Sequence, residues 1–212
     1  MATILRVDTS PRVQGSHSRE LGDHFEQYWL KKHPSDIVIR RDVGVNPPPV
    51  PLDSLIKAHF AVHKRQLTEE EKHVIALSDT LEHEYINSDV LLLTVPMYNF
   101  SPPASFKTWL DHIVRKGSFF GQGPDGQVHG LLSREKQIFV MAAYGLPYKG
   151  QPHASSDYMY GVITSVFQFC GIPKEHLHYI SAEGTALLEL KRACKVQAKK
   201  EIEVLIDRVS LR

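Results

Sequence analysis

The sequence predicts an α/β protein: a five-stranded, doubly wound parallel sheet, strand order 2-1-3-4-5, with helices on both faces. Three observations carry this. The run Asp89-Val90-Leu91-Leu92-Leu93-Thr94-Val95 is almost wholly apolar, as a parallel strand buried on both sides requires. Strand-like and helix-like patterns alternate five times along the chain, which implies right-handed crossovers between parallel strands. The 212 residues are 42% hydrophobic and 23% charged, enough apolar material for one core, so residues 1–212 read as a single domain.

Taken in order, Thr3 to Val7 is rich in β-formers and reads as the first strand. A polar loop, Asp8 to Ser18, follows. From Arg19 onward, Leu21, Phe25, Tyr28 and Trp29 recur at helical spacing, and Pro34 stops that helix near His33. Asp36 to Arg41 alternates apolar and polar residues, the pattern of a more exposed second strand. The prolines of Asn46 to Pro51 impose an extended path. Asp53 to Lys64 is helical, and Thr68-Glu69-Glu70-Glu71 is a capping box that starts another helix through Val74, Leu77, Leu81 and Tyr85.

The third strand, Val90 to Val95, leads through Pro96-Met97-Tyr98-Asn99-Phe100-Ser101 into a helix over Ala104 to Lys116. That helix buries Phe106, Trp109 or Leu110, Ile113 and Val114, with Gly117 as a left-handed cap. Ser118 to Ser133, with its Asp125-Gly126 turn signal, is too long for a plain connector and predicts a structured excursion. Gln137 to Ala142 is the fourth strand, and Ala143 to Pro152 a Gly- and Pro-containing loop. Asp157 to Phe169 is an apolar helix, Leu177 to Ser181 the fifth strand, and Leu187 to Leu211 a closing amphipathic helix.

Composition narrows the function. A net charge of +1 gives no electrostatic basis for binding nucleic acid or an anionic membrane. No apolar run approaches the ~20 residues that span a bilayer, and the polar start of the chain is unlike a signal peptide, so the expectation is a cytoplasmic protein. Cys170 and Cys194 form no C-x-x-C pair, and Cys170 sits in an apolar helical pattern as a core residue would. Among twelve histidines, His59 and His63 have ligand-compatible spacing but no supporting carboxylate pattern, so no metal is expected. The chain lacks a P-loop, a G-x-G-x-x-G after the first strand, and a G-x-S-x-G elbow.

In strand order 2-1-3-4-5, ligands bind where the chain leaves strands 1 and 3 in opposite directions. The loops that meet there are Asp8 to Ser18 and Pro96 onward. The first carries Ser10, Ser16 and Ser18 with a helix N-terminus, donors that suit a phosphate. The second carries two rings, Tyr98 and Phe100, and the amide of Asn99, which suit a flat heterocycle. A mononucleotide fits these groups better than a triphosphate or dinucleotide.

These residues are recognisable as a set. Thr9-Ser10-Pro11-Arg12 with Ser16-His17-Ser18, then Pro96-Met97-Tyr98-Asn99-Phe100, then Phe106-Lys107-Thr108-Trp109-Leu110-Asp111 resemble the FMN-dependent NADH:azoreductase family, flavodoxin-like NAD(P)H:quinone reductases. The resemblance runs from the first strand to Ala182-Glu183-Gly184. It implies a homodimer with one non-covalent FMN per subunit. The flavin phosphate would lie at Ser10, Ser16, His17 and Ser18, and the ring along Pro96, Met97, Tyr98, Asn99 and Phe100. Ala143, Tyr144 and Gly145 would close the ring's other edge. The chain departs from the family at His17, usually Gln, and at Ala143-Tyr144-Gly145-Leu146, where the family tends toward Ser or Ala, Arg, Gly, Gly.

The implied reaction is two-electron reduction of quinones, azo compounds or nitroaromatics by NADH or NADPH, ping-pong through the flavin, with no catalytic nucleophile or general base assigned. Phe119, Phe120 and Tyr144 are either walls of the acceptor slot or ordinary core or interface aromatics. The alternatives are a non-catalytic flavin-binding redox sensor and a small-molecule hydrolase.

Overall fold

The computed structural model describes residues 1–133 and 135–209. Leu211, the expected end of the last helix, lies outside them. In chain order the elements are β1 (Thr3–Asp8), α1 (His17–Lys32), β2 (Ile37–Asp42), α2 (Asp53–Ala61), α3 (Glu69–Ile86), β3 (Val90–Pro96) and α4 (Ala104–Ile113). The hairpin strands β4 (Phe120–Gln122) and β5 (Val128–Gly130) come next, then β6 (Gln137–Tyr144), α5 (Tyr158–Phe169), β7 (Leu177–Glu183) and α6 (Leu188–Arg208).

The main sheet has the order β2-β1-β3-β6-β7 with every pair parallel. Its fourth and fifth strands are β6 and β7, because the excursion before β6 supplies an antiparallel hairpin of its own. All seven residues of β3 and all eight of β6 are buried, as their apolar runs require.

Successive strand residues enter different clusters, as the two-residue pleat dictates. Leu5, Val7, Leu91, Leu93, Val95, Ile138, Val140 and Ala142 pack with Phe106, Trp109, Leu110 and Ile113 of α4 and Met159, Ile163 and Phe167 of α5. Ile4, Val90, Leu92, Phe139 and Met141 pack with Leu21, Phe25 and Trp29 of α1 and Ala198, Ile202 and Ile206 of α6. Each large apolar side chain fully withdrawn from water contributes about 1.5–3 kcal/mol before chain entropy is subtracted.

The Thr68 capping box forms as predicted: the Thr68 hydroxyl accepts from the Glu71 N–H (3.2 Å), and the Glu71 carboxylate accepts from the Thr68 N–H (2.9 Å). Two helix ends differ from expectation. The second helix stops at Ala61, and α4 stops at Ile113. Gly117 does adopt the left-handed conformation (φ 95°), but in the turn into the hairpin, where its N–H donates to the Phe120 carbonyl. Cys170 is fully buried, and burial pushes its thiol up to about 11.

Packing of α2 creates an acid sensitivity. His59 is half-buried and its Nε2 has no hydrogen-bond partner among the described residues. Burial, with the nearby charges of Arg115 and His112, lowers its pKa to about 4. The unfolded chain takes up this proton near pH 6.5, before the folded chain does. Stability from this group is therefore present above about pH 6.5 and lost as pH falls toward 4. After discounting for partial exposure, the loss should be about 1–2 kcal/mol. Urea melts at pH 7 and pH 4.5 check it: His59→Leu should lose less stability than the wild type over that interval.

Candidate functional site

The carboxyl ends of β1, β3, β6 and β7 are laced into one surface. Asp8 pairs with Thr94 across β1 and β3. Beyond that pair, Thr9 donates both its N–H (3.1 Å) and its hydroxyl (2.9 Å) to the Thr94 carbonyl. Ser105, in the first turn of α4, donates its hydroxyl to the Thr9 carbonyl (3.1 Å). Across β3 and β6, Met97 N–H donates to the Ala143 carbonyl (2.9 Å). Thr185, after β7, gives both its N–H (3.0 Å) and its hydroxyl (2.8 Å) to the Tyr144 carbonyl. The loops after β1 and β3, remote in sequence, thus meet at the point where the strand order reverses.

At the β1 end, Ser16 is the N-cap of α1. Its hydroxyl lies 3.4 Å from that of Ser18 and 3.5 Å from the Arg19 N–H, so both serine hydroxyls are only weakly engaged within the protein. The N–H groups of His17 and Ser18 stand in the first helical turn, where no carbonyl four residues back can accept them. Gly15 (φ 68°) makes the left-handed entry into this turn. Burial, with Lys195 and Lys191 nearby, holds the His17 imidazole toward its neutral form, and its backbone N–H opens the first turn of α1. Ser10 is buried, and its hydroxyl accepts from the Arg12 N–H (3.2 Å).

At the β3 end, Tyr98 to Ser101 form a two-residue hairpin. Tyr98 N–H donates to the Ser101 carbonyl (2.9 Å) and Ser101 N–H to the Tyr98 carbonyl (3.0 Å). Both central residues have positive φ, Asn99 at 48° and Phe100 at 68°, the geometry of a type I′ turn. Asn tolerates this region; Phe does so at a cost. The turn leaves Phe100 51% and Tyr98 39% exposed, so two rings face outward beside a buried strand. Pro96 is buried and Met97 half-buried beneath them.

At the β6 end, Ala143 is buried and Gly145 exposed. The segment after Gly145 is anchored by Glu183, whose carboxylate accepts from the N–H groups of Tyr148 (2.7 Å) and Lys149 (2.8 Å). Residue patterns in the sequence single out neither Thr94, Ser105 nor Thr185, and Thr9 and Glu183 stand there only as members of quoted motifs, with no role. Only their position at strand ends marks them.

Of the two readings of Tyr144, Phe119 and Phe120, the geometry within one chain favours packing over slot walls. Tyr144 is 1% exposed; its hydroxyl donates to Asp157 (2.9 Å) and lies 2.6 Å from that of Tyr179. Its ring is core, and only its backbone faces the β7 loop. Phe119 packs on Tyr85, and Phe120 on Phe169. Tyr85 precedes the amino end of β3, and Phe169 ends α5 before β7 begins, so both rings sit at the opposite end of the sheet within one chain. A cleft of about 530 Å³ between α3 and the hairpin, lined by Asp79, His83, Ile86 and Leu131, also lies at that far end. None of the residues lining it belongs to the laced loops. No helix is long and apolar enough to cross a membrane, and no group of three or more metal-ligating side chains occurs, among the described residues.

Residues 2–205 match the family model described as having a flavodoxin-like fold. An FMN-dependent NADH:quinone oxidoreductase of Nostoc sp. is 36% identical over 202 residues, 95% of this chain and 96% of that protein. The FMN-dependent NADH:quinone oxidoreductase of Acidobacterium capsulatum is 34% identical over 209 residues, 99% of this chain and 98% of that one. Among solved structures, an azoreductase from Bacillus anthracis str. Sterne superposes with a TM-score of 0.89 at 24% identity, over 99% of this chain and 100% of that one. An FMN-dependent NADH-azoreductase from Bacillus anthracis str. Ames Ancestor, in complex with FMN, gives 0.87 at 22% identity, over 98% and 99%. At those identities the likeness to the two structures speaks for the fold.

Proposed function

Because the chain belongs to the flavodoxin-like family that includes FMN-dependent NADH:quinone oxidoreductases, we propose that it is an FMN-dependent oxidoreductase that uses NADH to reduce quinones. Azo compounds and nitroaromatics are further acceptors under this reading, and NADPH a second donor. The observation that carries it is the lacing of the β1 and β3 loops, which brings phosphate-type donors and outward-facing rings to one switch point.

The residues present fit the cofactor. Weakly engaged Ser16 and Ser18 hydroxyls and the free N–H groups of the first α1 turn suit a phosphate. Ser10 and His17 complete that end, His17 through its backbone. Tyr98, Asn99 and Phe100, seated on Pro96 and Met97, suit a planar ring system. Ala143 and Gly145 would line the ring's far edge, and a Cβ placed on Gly145 would meet only Ala186, at 3.6 Å. Tyr144 contributes only through its main chain. FMN held here would supply the redox chemistry, two-electron transfer between a nicotinamide donor and the acceptor. The chain's own residues would bind and orient: the Tyr98–Ser101 turn presents its rings outward, and Glu183 and Thr185 fix the β6 loop.

This reading also takes residues 1–212 as one domain with helices on both faces of the sheet, a proposal supported by the two separate buried clusters. We place it in the cytoplasm as a homodimer. The exposed Tyr98, Phe100 and Leu146 beside an open site favour cover from a second copy. Purified protein loaded with FMN should lose its flavin absorbance on anaerobic NADH and regain it with a quinone. Protein that binds FMN but is reduced slowly would be the non-catalytic flavin sensor. Protein that ignores FMN would refute the reading.

A further inference from the structure

Beneath the phosphate-type loop lies a largely withdrawn guanidinium that the protein itself already engages. Arg19 Nη1 and Nη2 donate to the two Asp42 oxygens (2.8 and 2.7 Å), and Nη1 lies 3.6 Å from Asp8. Its charge is therefore already matched by two carboxylates. Asp42 in turn accepts from the Val45 N–H (3.0 Å), which fixes it at the end of β2. Burial opposes ionisation of Asp42, but Arg19 and the Val45 and Gly44 N–H groups outweigh it and hold its pKa down.

The remaining contact of Arg19 is the informative one: Nη2 donates to the Ser10 carbonyl at 2.6 Å. Gly44 presses on the same carbonyl from β2's side; a Cβ there would stand 2.1 Å from the Ser10 oxygen and 2.8 Å from the Thr9 carbonyl carbon. The preceding carbonyl, Thr9, is held by Ser105. Both carbonyls of the loop's first two residues are thus bound by the protein. In a planar trans peptide the N–H points opposite to the C=O, so holding the Thr9 carbonyl also aims the Ser10 N–H. A carbonyl turned toward a phosphate would place acceptor against dianion; one withdrawn leaves only donors on that side.

We propose that Arg19 is a positioning residue for the phosphate loop: with Asp42 and Gly44 it withdraws the Ser10 carbonyl from an anion held at the Ser16–Ser18 helix start. The inference rests on the FMN reading above and concerns only the phosphate end. Riboflavin, which has the ring without the phosphate, separates this role from general support of the fold.

The test is flavin fluorescence titration of the apo-protein with FMN and with riboflavin, for wild type, Arg19→Met, Arg19→Lys and Asp42→Asn, with thermal melts alongside. The wild type should prefer FMN. Arg19→Met and Asp42→Asn should weaken FMN by about tenfold, the size of one lost charge-assisted hydrogen bond, and riboflavin by less than about twofold. Arg19→Lys keeps the charge between Asp8 and Asp42 but has a single donor nitrogen in place of the two-nitrogen fork, so it tests the same geometry if Arg19→Met does not fold. It should show a smaller loss of the same selectivity. Equal weakening of both flavins, or none, would overturn the role of Arg19 and leave the FMN reading standing. A wild type with no preference for FMN would overturn both.

Discussion

Replacing Asp8 by Ala should destabilise the flavin-free protein by about 3–5 kcal/mol, the usual result of breaking one partner out of a buried ion pair. Asp8 is 5% exposed and Arg6 4%. Arg6 Nε reaches both Asp8 oxygens (3.2 and 3.1 Å), Nη2 reaches Oδ1 (3.1 Å), and Thr94 donates its hydroxyl to Oδ1 (2.7 Å). Removing the carboxylate leaves the Thr94 hydroxyl without its acceptor and a buried guanidinium balanced only through Glu26 and Asp23. For a domain of this size the midpoint of thermal unfolding should fall by about 10 °C. Two companions give the prediction its edge. Asp53→Ala, which breaks the exposed Lys57–Asp53 pair, should change stability by less than about 0.5 kcal/mol. Arg6→Met combined with Asp8→Leu should cost less than Asp8→Ala alone, because the buried guanidinium leaves together with its carboxylate while Glu26 keeps Arg40. Urea unfolding of all three, by circular dichroism, decides it; a loss below about 1 kcal/mol for Asp8→Ala would show that water reaches the network.

That network also shows where reading the sequence falls short. The sequence places Asp8 in a loop, since an acidic residue after Val7 looks like the end of a strand. The structure carries β1 through Asp8, because Arg6 two residues earlier shares its face and neutralises it. Strands with a strong apolar signal, β3 and β6, are legible because burial on both sides leaves no alternative pattern. The capping box of α3 is legible because it is local. Candidate-site residues are legible where topology alone brings strand ends together, as for Thr9 to Ser18 and Pro96 to Ser101. Side-chain direction is not. Tyr144 reads as a loop aromatic of undecided direction until Asp157 and Tyr179 capture its hydroxyl. Phe119 and Phe120 do carry a usable signal: α4 returns the chain to the amino end of the sheet, so the hairpin after it starts at the wrong end for the site.

Phe100→Gly should move stability and cofactor binding in opposite directions. Phe100 holds φ 68° in the type I′ turn, a conformation that costs a residue with a Cβ about 1–2 kcal/mol. Glycine adopts it without that cost, though it gives back about 0.5–1 kcal/mol in unfolded-chain entropy. Phe100 is also 51% exposed, so little buried area is lost. The flavin-free variant should therefore be as stable as the wild type or more so, by up to about 1 kcal/mol in urea unfolding. Its affinity for FMN should nevertheless fall about tenfold or more, since an aromatic ring stacked or edged against a flat heterocycle contributes about 1–3 kcal/mol. Asn99 sharpens the comparison. Asn99→Gly keeps the turn and the neighbouring rings, so it loses only the amide. Asn99→Val forces a β-branched residue to φ 48° and should lower stability as well as binding. A strained residue kept at a position where glycine would be more stable is the pattern of a side chain retained for its ligand. If Phe100→Gly binds FMN as tightly as the wild type, the ring at this turn is not a flavin contact, and the turn serves only to end β3.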